Sequence, residues 1–175
     1  MDIEENIHKL LFDVRRSIRY HIRRRSFYDR FNLIVNAISV VMGSATVYGI
    51  LKAQSQDIAL TAAAAVTILS SINLVVGSVR QARLHNDLAK RFIVLEKKIT
   101  TSTTKDTEKL AEWTSERLDI ETEEPPVLHV LNCICHNELI RATGGYGSEH
   151  LAKIAWYQRL FASIIDINEH SIKIG

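Results

Sequence analysis

Two long stretches of this sequence contain no charged residue, and they restrict the fold more than any other feature. They are residues 31–51 and 58–79. Each is about 20 residues long, and a helix of that length crosses a hydrocarbon core about 30 Å thick. The rest of the chain, about 130 residues in mostly amphipathic patterns, is too short to bury two fully apolar helices on all sides. The sequence therefore predicts transmembrane helices at 31–51 and 58–79.

The lysines and arginines beside these stretches predict their orientation. Seven arginines lie between Arg15 and Arg30, and four basic residues lie between Arg80 and Arg91. The linking residues 52–57 contain one lysine and one aspartate. Because basic residues collect on the cytoplasmic side, we expect a transmembrane hairpin with both termini in the cytoplasm and 52–57 as a short external loop. In a bacterium, this would be a multi-pass protein of the inner membrane.

The segments on either side of the hairpin show helical periodicity and no strand-like alternation, so the predicted class is an all-α membrane protein. Residues 1–30 place apolar side chains opposite a charged face, which predicts a basic amphipathic helix in the cytoplasm. Packing against neighbouring helices and lying on the lipid surface both fit that pattern. Residues 80–175 predict a cytoplasmic helical domain, in which the second span continues as one long helix to near Thr100.

Capping residues and helix breakers divide the remainder of the cytoplasmic domain. Thr104 or Asp106 can cap the next helix, and Pro126 suits the first turn of the one after it. That helix is expected to end at the glycine cluster that begins with Gly144. A last helix is predicted over residues 149–166.

Both predicted spans carry small or uncharged polar side chains at helical spacing. Lipid cannot hydrogen-bond an amide or hydroxyl, so these faces must meet protein or water. Close packing between helices is one interpretation. A pore is the other, and it requires several copies because two helices cannot enclose a channel. The candidate pore-lining positions are Asn36, Ser39, Gly43, Thr46, Thr67, Ser70, Asn73 and Gly77.

A dense group of arginines lies just before the first span. One interpretation is a topology signal that also contacts anionic lipid headgroups. The sharper hypothesis is a site for a phosphate-rich ligand such as a nucleotide, because arginine makes bidentate contacts to phosphate and the interleaved aromatic residues can stack on bases. The candidate ligand-binding residues are Arg16, Arg19, Arg23, Arg24, Arg80 and Arg83.

The sequence offers no set of residues for catalysis. It contains no glycine-rich phosphate loop and no nucleophile elbow, and its histidines are scattered. Cys133, Cys135 and His136 lack the second pair of ligands that a tetrahedral zinc site needs, so both cysteines are interpreted as small buried thiols. We therefore expect no catalytic residue, no metal and no cofactor, and we do not expect an enzyme.

The layout as a whole resembles a known family. An arginine-rich helix precedes a two-span hairpin with a very short loop. The second span continues as a long helix, followed by Glu-Pro-Pro at 124–126 and by the run that contains Asn137, Leu139, Ala142 and Gly144. This arrangement resembles the SLATT family of two-span bacterial membrane effectors.

The resemblance implies a function that the residues alone do not. It implies an antiphage effector controlled by a partner nucleotidyltransferase. A change in the nucleotide or oligodeoxyadenylate signal made by that enzyme leads the effector to open the inner membrane, and growth stops. We therefore expect a homo-oligomeric pore or ion channel, with a tetramer favoured, embedded in membrane lipid. The alternative is a non-conducting membrane scaffold that recruits a soluble partner.

Overall fold

The chain is all-helical in a computed structural model that describes residues 3–52, 56–144 and 147–173. No strand occurs in these residues, so the predicted all-α class is confirmed. Their contacts divide the chain into two compact units, Arg25–Leu84 and the combination of Met1–Arg24 with His85–Gly175. The helices are α1 Ile3–Lys52, α2 Gln56–Val76, α3 Ser78–Thr101, α4 Thr107–Glu121, α5 His129–Thr143 and α6 Trp156–Phe161, with 3-10 turns at Ser148–His150 and Glu169–Ser171.

Two helical stretches are long and apolar enough to cross a membrane, and they extend over Ile3–Tyr48 and Ala59–Thr101. Only 6% of the most apolar window in the first, and 11% in the second, is buried within the chain. A helix in the core of a soluble protein would be mostly buried. In contrast, Leu74 is 82% exposed and Val75 is 86% exposed. Of the expected external loop at 52–57, residues 53–55 lie outside the described residues.

Gly77 interrupts the long helix expected to continue from the second span. It separates α2 from α3 with a φ of +61°, in the left-handed region that glycine enters without a Cβ clash. Hydrogen bonds from Gly77 N to Asn73 O and from Gln81 N to Gly77 O, both 3.0 Å, keep a one-turn spacing across the break. The second helical stretch therefore continues past the predicted span to Thr101, close to the expected end, with a local break at Gly77.

The unit built from Met1–Arg24 and His85–Gly175 has a well-packed apolar core. On α1, Ile7, Leu10, Val14 and Ile18 are all buried at helical spacing. On α3, the buried residues include Leu88, Phe92, Leu95 and Ile99. The apolar face of α1 from Ile7 to Ile18 is thus covered by protein within this unit, as the packing interpretation of this segment expects.

The ends of α4 and α5 follow the sequence signals in part. Asp106 caps α4 by accepting a hydrogen bond from Lys109 N at 2.8 Å, and Gly144 ends α5 in the left-handed conformation, as expected. However, α5 begins at His129 and not near Pro126. The reason is a distant carboxylate: Asp166 accepts hydrogen bonds from His129 N (2.7 Å) and Val130 N (2.9 Å).

The last helix predicted over residues 149–166 is wrong, because α6 is only six residues long. The Asn137 side chain bonds both backbone groups of Ala152 at 2.7 Å and holds this residue outside any helix. The side-chain amide of Gln158, a residue of α6, donates to the carbonyl oxygens of Ile167 and Asn168 beyond the helix, each at 3.0 Å. These non-local bonds replace the helical hydrogen bonds that the apolar periodicity suggested.

Candidate functional site

Most of the candidate arginines on α1 already have partners within their own unit. Arg23 pairs with Glu138, and Arg24 Nη1 donates to the Ser163 carbonyl oxygen at 2.7 Å. Arg16 lies 3.0 Å from the Asp13 carboxylate, and Arg19 is partly buried. An incoming phosphate would therefore compete with existing contacts at three of these four positions.

Arg80 and Arg83 differ from the α1 arginines. Both are exposed, one helical turn apart on α3 in the unit Arg25–Leu84. Neither guanidinium has an ion-pair or hydrogen-bond partner within the described part of the chain. Because these two belong to one unit and Arg16, Arg19, Arg23 and Arg24 to the other, convergence of the two groups stays a prediction.

The polar residues of the predicted spans fall into two groups. Asn36, Thr67 and Ser70 are exposed, whereas Ser39, Gly43, Thr46, Asn73 and Gly77 are partly buried. Two of the hydroxyls bond the carbonyl one turn earlier, from Thr46 to Met42 and from Thr67 to Ala63, each at 2.9 Å. These hydroxyls are satisfied by their own helices and need no water.

Asn73 makes a polar bond between side chains of the predicted spans 31–51 and 58–79, which are called the candidate spans below. Its Nδ2 donates to Asn32 Oδ1 at 3.0 Å. Asn32 lies outside the eight candidate positions, although it is one turn before Asn36 and helical spacing could have included it. The polar stripe therefore contains both an internal contact and side chains that face away from the chain.

A buried histidine pair is the clearest feature that the sequence did not reveal. His21 Nδ1 lies 2.9 Å from His85 Nδ1, and His21 Nε2 lies 2.9 Å from Glu124 Oε1. Both imidazoles are fully buried, and His21 stacks on Phe92. The expectation that the histidines are scattered is wrong for this pair. His85 is 64 positions from His21 in the chain and Glu124 is 103 positions from it, so folding brings them together.

The hydrogen bond to Glu124 places one proton of this pair. A carboxylate only accepts, so His21 Nε2 carries the proton that it donates to Glu124. Burial, together with the charges of His21 and Arg24, lowers the pKa of His85 to about 3, so this ring is neutral near pH 7.

Three more histidines gather at a cavity in the same unit. It has a volume of about 290 Å³ and lies between the start of α1, α5 and the turn at Ser148–His150. His136 Nε2 donates to the His150 carbonyl oxygen at 3.1 Å and packs edge-on against Phe12. The residues around this cavity are Glu5, His8, Lys9, Phe12, His136, Ile140 and His150.

The two cysteines are buried free thiols, as their interpretation required. Burial raises the pKa of Cys135 to about 12 and raises that of Cys133 above its usual value. A thiol with a raised pKa is a poor nucleophile. Across residues 3–52, 56–144 and 147–173, no group of three or more histidine, cysteine or acidic residues is arranged to hold a metal ion.

No protein-family model, curated protein or solved structure matches this chain. The resemblance to the SLATT family therefore depends on the layout and residues quoted from the sequence, and it stays a hypothesis.

Proposed function

We propose that this protein is a membrane-embedded pore formed by several copies of the chain. The observation that carries the proposal is the combination of two unburied apolar helices with outward-facing polar side chains. Asn36 and Ser70 are exposed among apolar residues that are themselves exposed. A polar amide facing hydrocarbon loses its hydrogen bonds to water, so a second copy or a water-filled space is its favourable neighbour.

In this proposal, the two candidate spans insert as a hairpin with both termini in the cytoplasm. In the sequence, six residues, 52–57, link the two apolar stretches, and a link this short favours antiparallel neighbours. The hydrogen bond between Asn32, early in the first span, and Asn73, late in the second, fits the same arrangement. The arginines before the first span and after the second supply the cytoplasmic charge that orients such a hairpin.

The pore would be assembled around a symmetry axis, with a tetramer as the favoured size. One hairpin has too few helices to surround a channel, whereas a closed ring of identical copies brings the same polar face to the axis in each. The spans contain no charged side chain, so the lumen would be lined by amide and hydroxyl groups. Such a lining supports passive, weakly selective conduction and no ion-coupled transport.

The biological role proposed for this pore is that of an antiphage effector in the bacterial inner membrane. The support is the resemblance to the SLATT family, whose members are associated with a nucleotidyltransferase and its nucleotide signal. In that role, the signal acts on the helical domain outside the spans, and opening the pore depolarises the cell. The described residues offer no catalytic cluster of their own for the chain to make the signal.

Ion flux across the membrane of liposomes that contain the purified full-length protein tests the pore directly. We expect flux above that of empty liposomes, and Asn36→Leu should reduce it severalfold because it removes an amide from the exposed polar face. Ser44→Ala is the matched control, since the Ser44 hydroxyl bonds Val40 O within its own helix. If flux never exceeds the empty-liposome leak, with or without oligodeoxyadenylate, the pore proposal is wrong.

Asn73→Leu is a weaker test of conduction than Asn36→Leu. Asn73 is bonded to Asn32 within the chain, so its loss leaves a polar group unpaired and disturbs the contact between the spans. We expect this variant to lower both the thermal midpoint and the flux. Comparing the two variants distinguishes a residue that lines the pore from a residue that packs the two spans together.

A non-conducting scaffold is the second candidate, and the exposed apolar residues around α6 favour it. Trp156, Leu160 and Ile164 are exposed on the unit that lies outside the candidate spans. A scaffold would use them to hold a soluble partner. It predicts that Leu160→Ser abolishes growth arrest in cells while Asn36→Leu does not, and the pore predicts that Asn36→Leu weakens it.

A further inference from the structure

A cavity of about 450 Å³ lies beside the break between α2 and α3, wholly within the unit Arg25–Leu84. This volume is typical of small-molecule sites. Its walls include the amides of Asn32 and Asn73, the backbone at Gly77, the hydroxyl of Ser78 and the side chains of Arg80 and Arg83. A Cβ placed on Gly77 would have nothing within 4 Å, so the space beside the break is open.

Two polar atoms at this cavity are buried and have no partner among the described residues. Ser78 is only 2% exposed, and its Oγ makes no hydrogen bond. Asn73 donates through Nδ2 to Asn32, but its Oδ1 accepts nothing. Buried polar groups are nearly always hydrogen-bonded, so each such atom calls for a bound molecule or another explanation. The site therefore offers one free donor, the Ser78 hydroxyl, and one free acceptor, Asn73 Oδ1.

The charge at the cavity has a single sign. Arg80 and Arg83 stand one turn apart on its rim, and no acidic residue is among those that line it. Two guanidinium groups and a hydroxyl group are donors that bind phosphate.

We propose that this cavity binds a phosphate ester that carries a neighbouring hydroxyl group. Arg80, Arg83 and the Ser78 hydroxyl donate to the phosphate oxygens. The ligand's own hydroxyl donates to Asn73 Oδ1, which satisfies the second unpaired atom. The same chemistry occurs in the headgroup of phosphatidylglycerol and in soluble glycerol phosphates, so the experiment must separate these sources.

Native mass spectrometry of the full-length protein in detergent measures the binding. The probes are phosphatidylglycerol and phosphatidylethanol, which have the same phosphodiester charge but differ in the headgroup hydroxyls. We expect the wild type to retain more phosphatidylglycerol than phosphatidylethanol. Arg80→Gln with Arg83→Gln should reduce phosphatidylglycerol retention about tenfold, and Ser78→Ala about threefold.

Lys97→Gln with Lys105→Gln is the matched control, because it removes the same charge at two exposed positions away from the cavity. It should stay within about twofold of the wild type. Equal losses in the control and the double arginine variant would overturn the proposal, as would equal retention of the two lipids. Helical content by circular dichroism verifies that each variant is folded.

A competition arm identifies the source of the phosphate. Displacement of phosphatidylglycerol by millimolar glycerol 3-phosphate assigns the site to a soluble ester, and absence of displacement assigns it to the lipid headgroup. The lipid assignment rests on the proposed membrane placement, which alkaline carbonate extraction tests separately. Conduction is not required, so failure of the flux experiment leaves this site untouched.

Discussion

At the scale of single residues, the pair formed by His21 and His85 links folding to pH. Burial lowers the pKa of His85 to about 3, against 6.5 for an exposed histidine, and the nearby charges of His21 and Arg24 add to the effect. Between these two values the unfolded chain binds a proton at His85 that the folded chain does not. Stability from this residue is therefore complete above about pH 6.5 and is lost as the pH falls below it.

We expect His85→Asn to flatten this dependence, because the asparagine amide can still hydrogen-bond His21 Nδ1 but does not titrate. One proton limits the slope to about 1.4 kcal/mol per pH unit. The measurement is the thermal unfolding midpoint at about pH 7 and about pH 5 in both proteins. His170→Asn is the control, since that imidazole is almost fully exposed. Parallel pH curves for wild type and His85→Asn would contradict the assignment.

At the scale of helices, α5 depends on a cap supplied from far along the chain. Asp166 accepts from the first two N–H groups of α5 and so replaces a local N-cap, which Leu128 cannot provide. Asp166→Ala should lower the free energy of unfolding by about 1–2 kcal/mol. Asp119→Ala removes an exposed carboxylate as control and should change it by less than about 0.5 kcal/mol. Denaturant unfolding of the full-length protein measures both, and equal effects would exclude the capping role.

The same helices indicate how much of the fold could be predicted from the sequence. Apolar spacing on α1, the Asp106 cap and the Gly144 terminus are local signals, and each is confirmed. The late start of α5 and the short α6 depend on Asp166 and Asn137, whose partners lie 15 to 37 residues away. Periodicity carries no information about such bonds. For the same reason the sequence did not predict the buried histidine pair. Arg80 and Arg83 were chosen from their position just after the second span, and their role stays a prediction.

At the scale of the whole molecule, the dominant feature is apolar surface that the chain leaves uncovered. In the unit Arg25–Leu84, large apolar side chains such as Leu33, Val40, Leu60 and Leu74 are well over half exposed. Soluble monomers rarely expose contiguous apolar patches of this kind. Lipid or further copies of the chain would remove this surface from water. The proposed membrane placement supplies the lipid, and the proposed oligomer supplies the copies.

This placement makes a prediction in which two pairs of exposed apolar residues behave differently. Ile68 and Ile72 lie in the second candidate span, whereas Ile93 and Val127 belong to the other unit, and all four are exposed. Arginine near the centre of a span costs about 2.5–3.5 kcal/mol on insertion, and arginine in water costs almost nothing. Ile68→Arg with Ile72→Arg should therefore remove most of the protein from the carbonate-resistant membrane fraction. Ile93→Arg with Val127→Arg should leave that fraction unchanged, and equal behaviour of the two double variants would show that α2 does not enter the lipid.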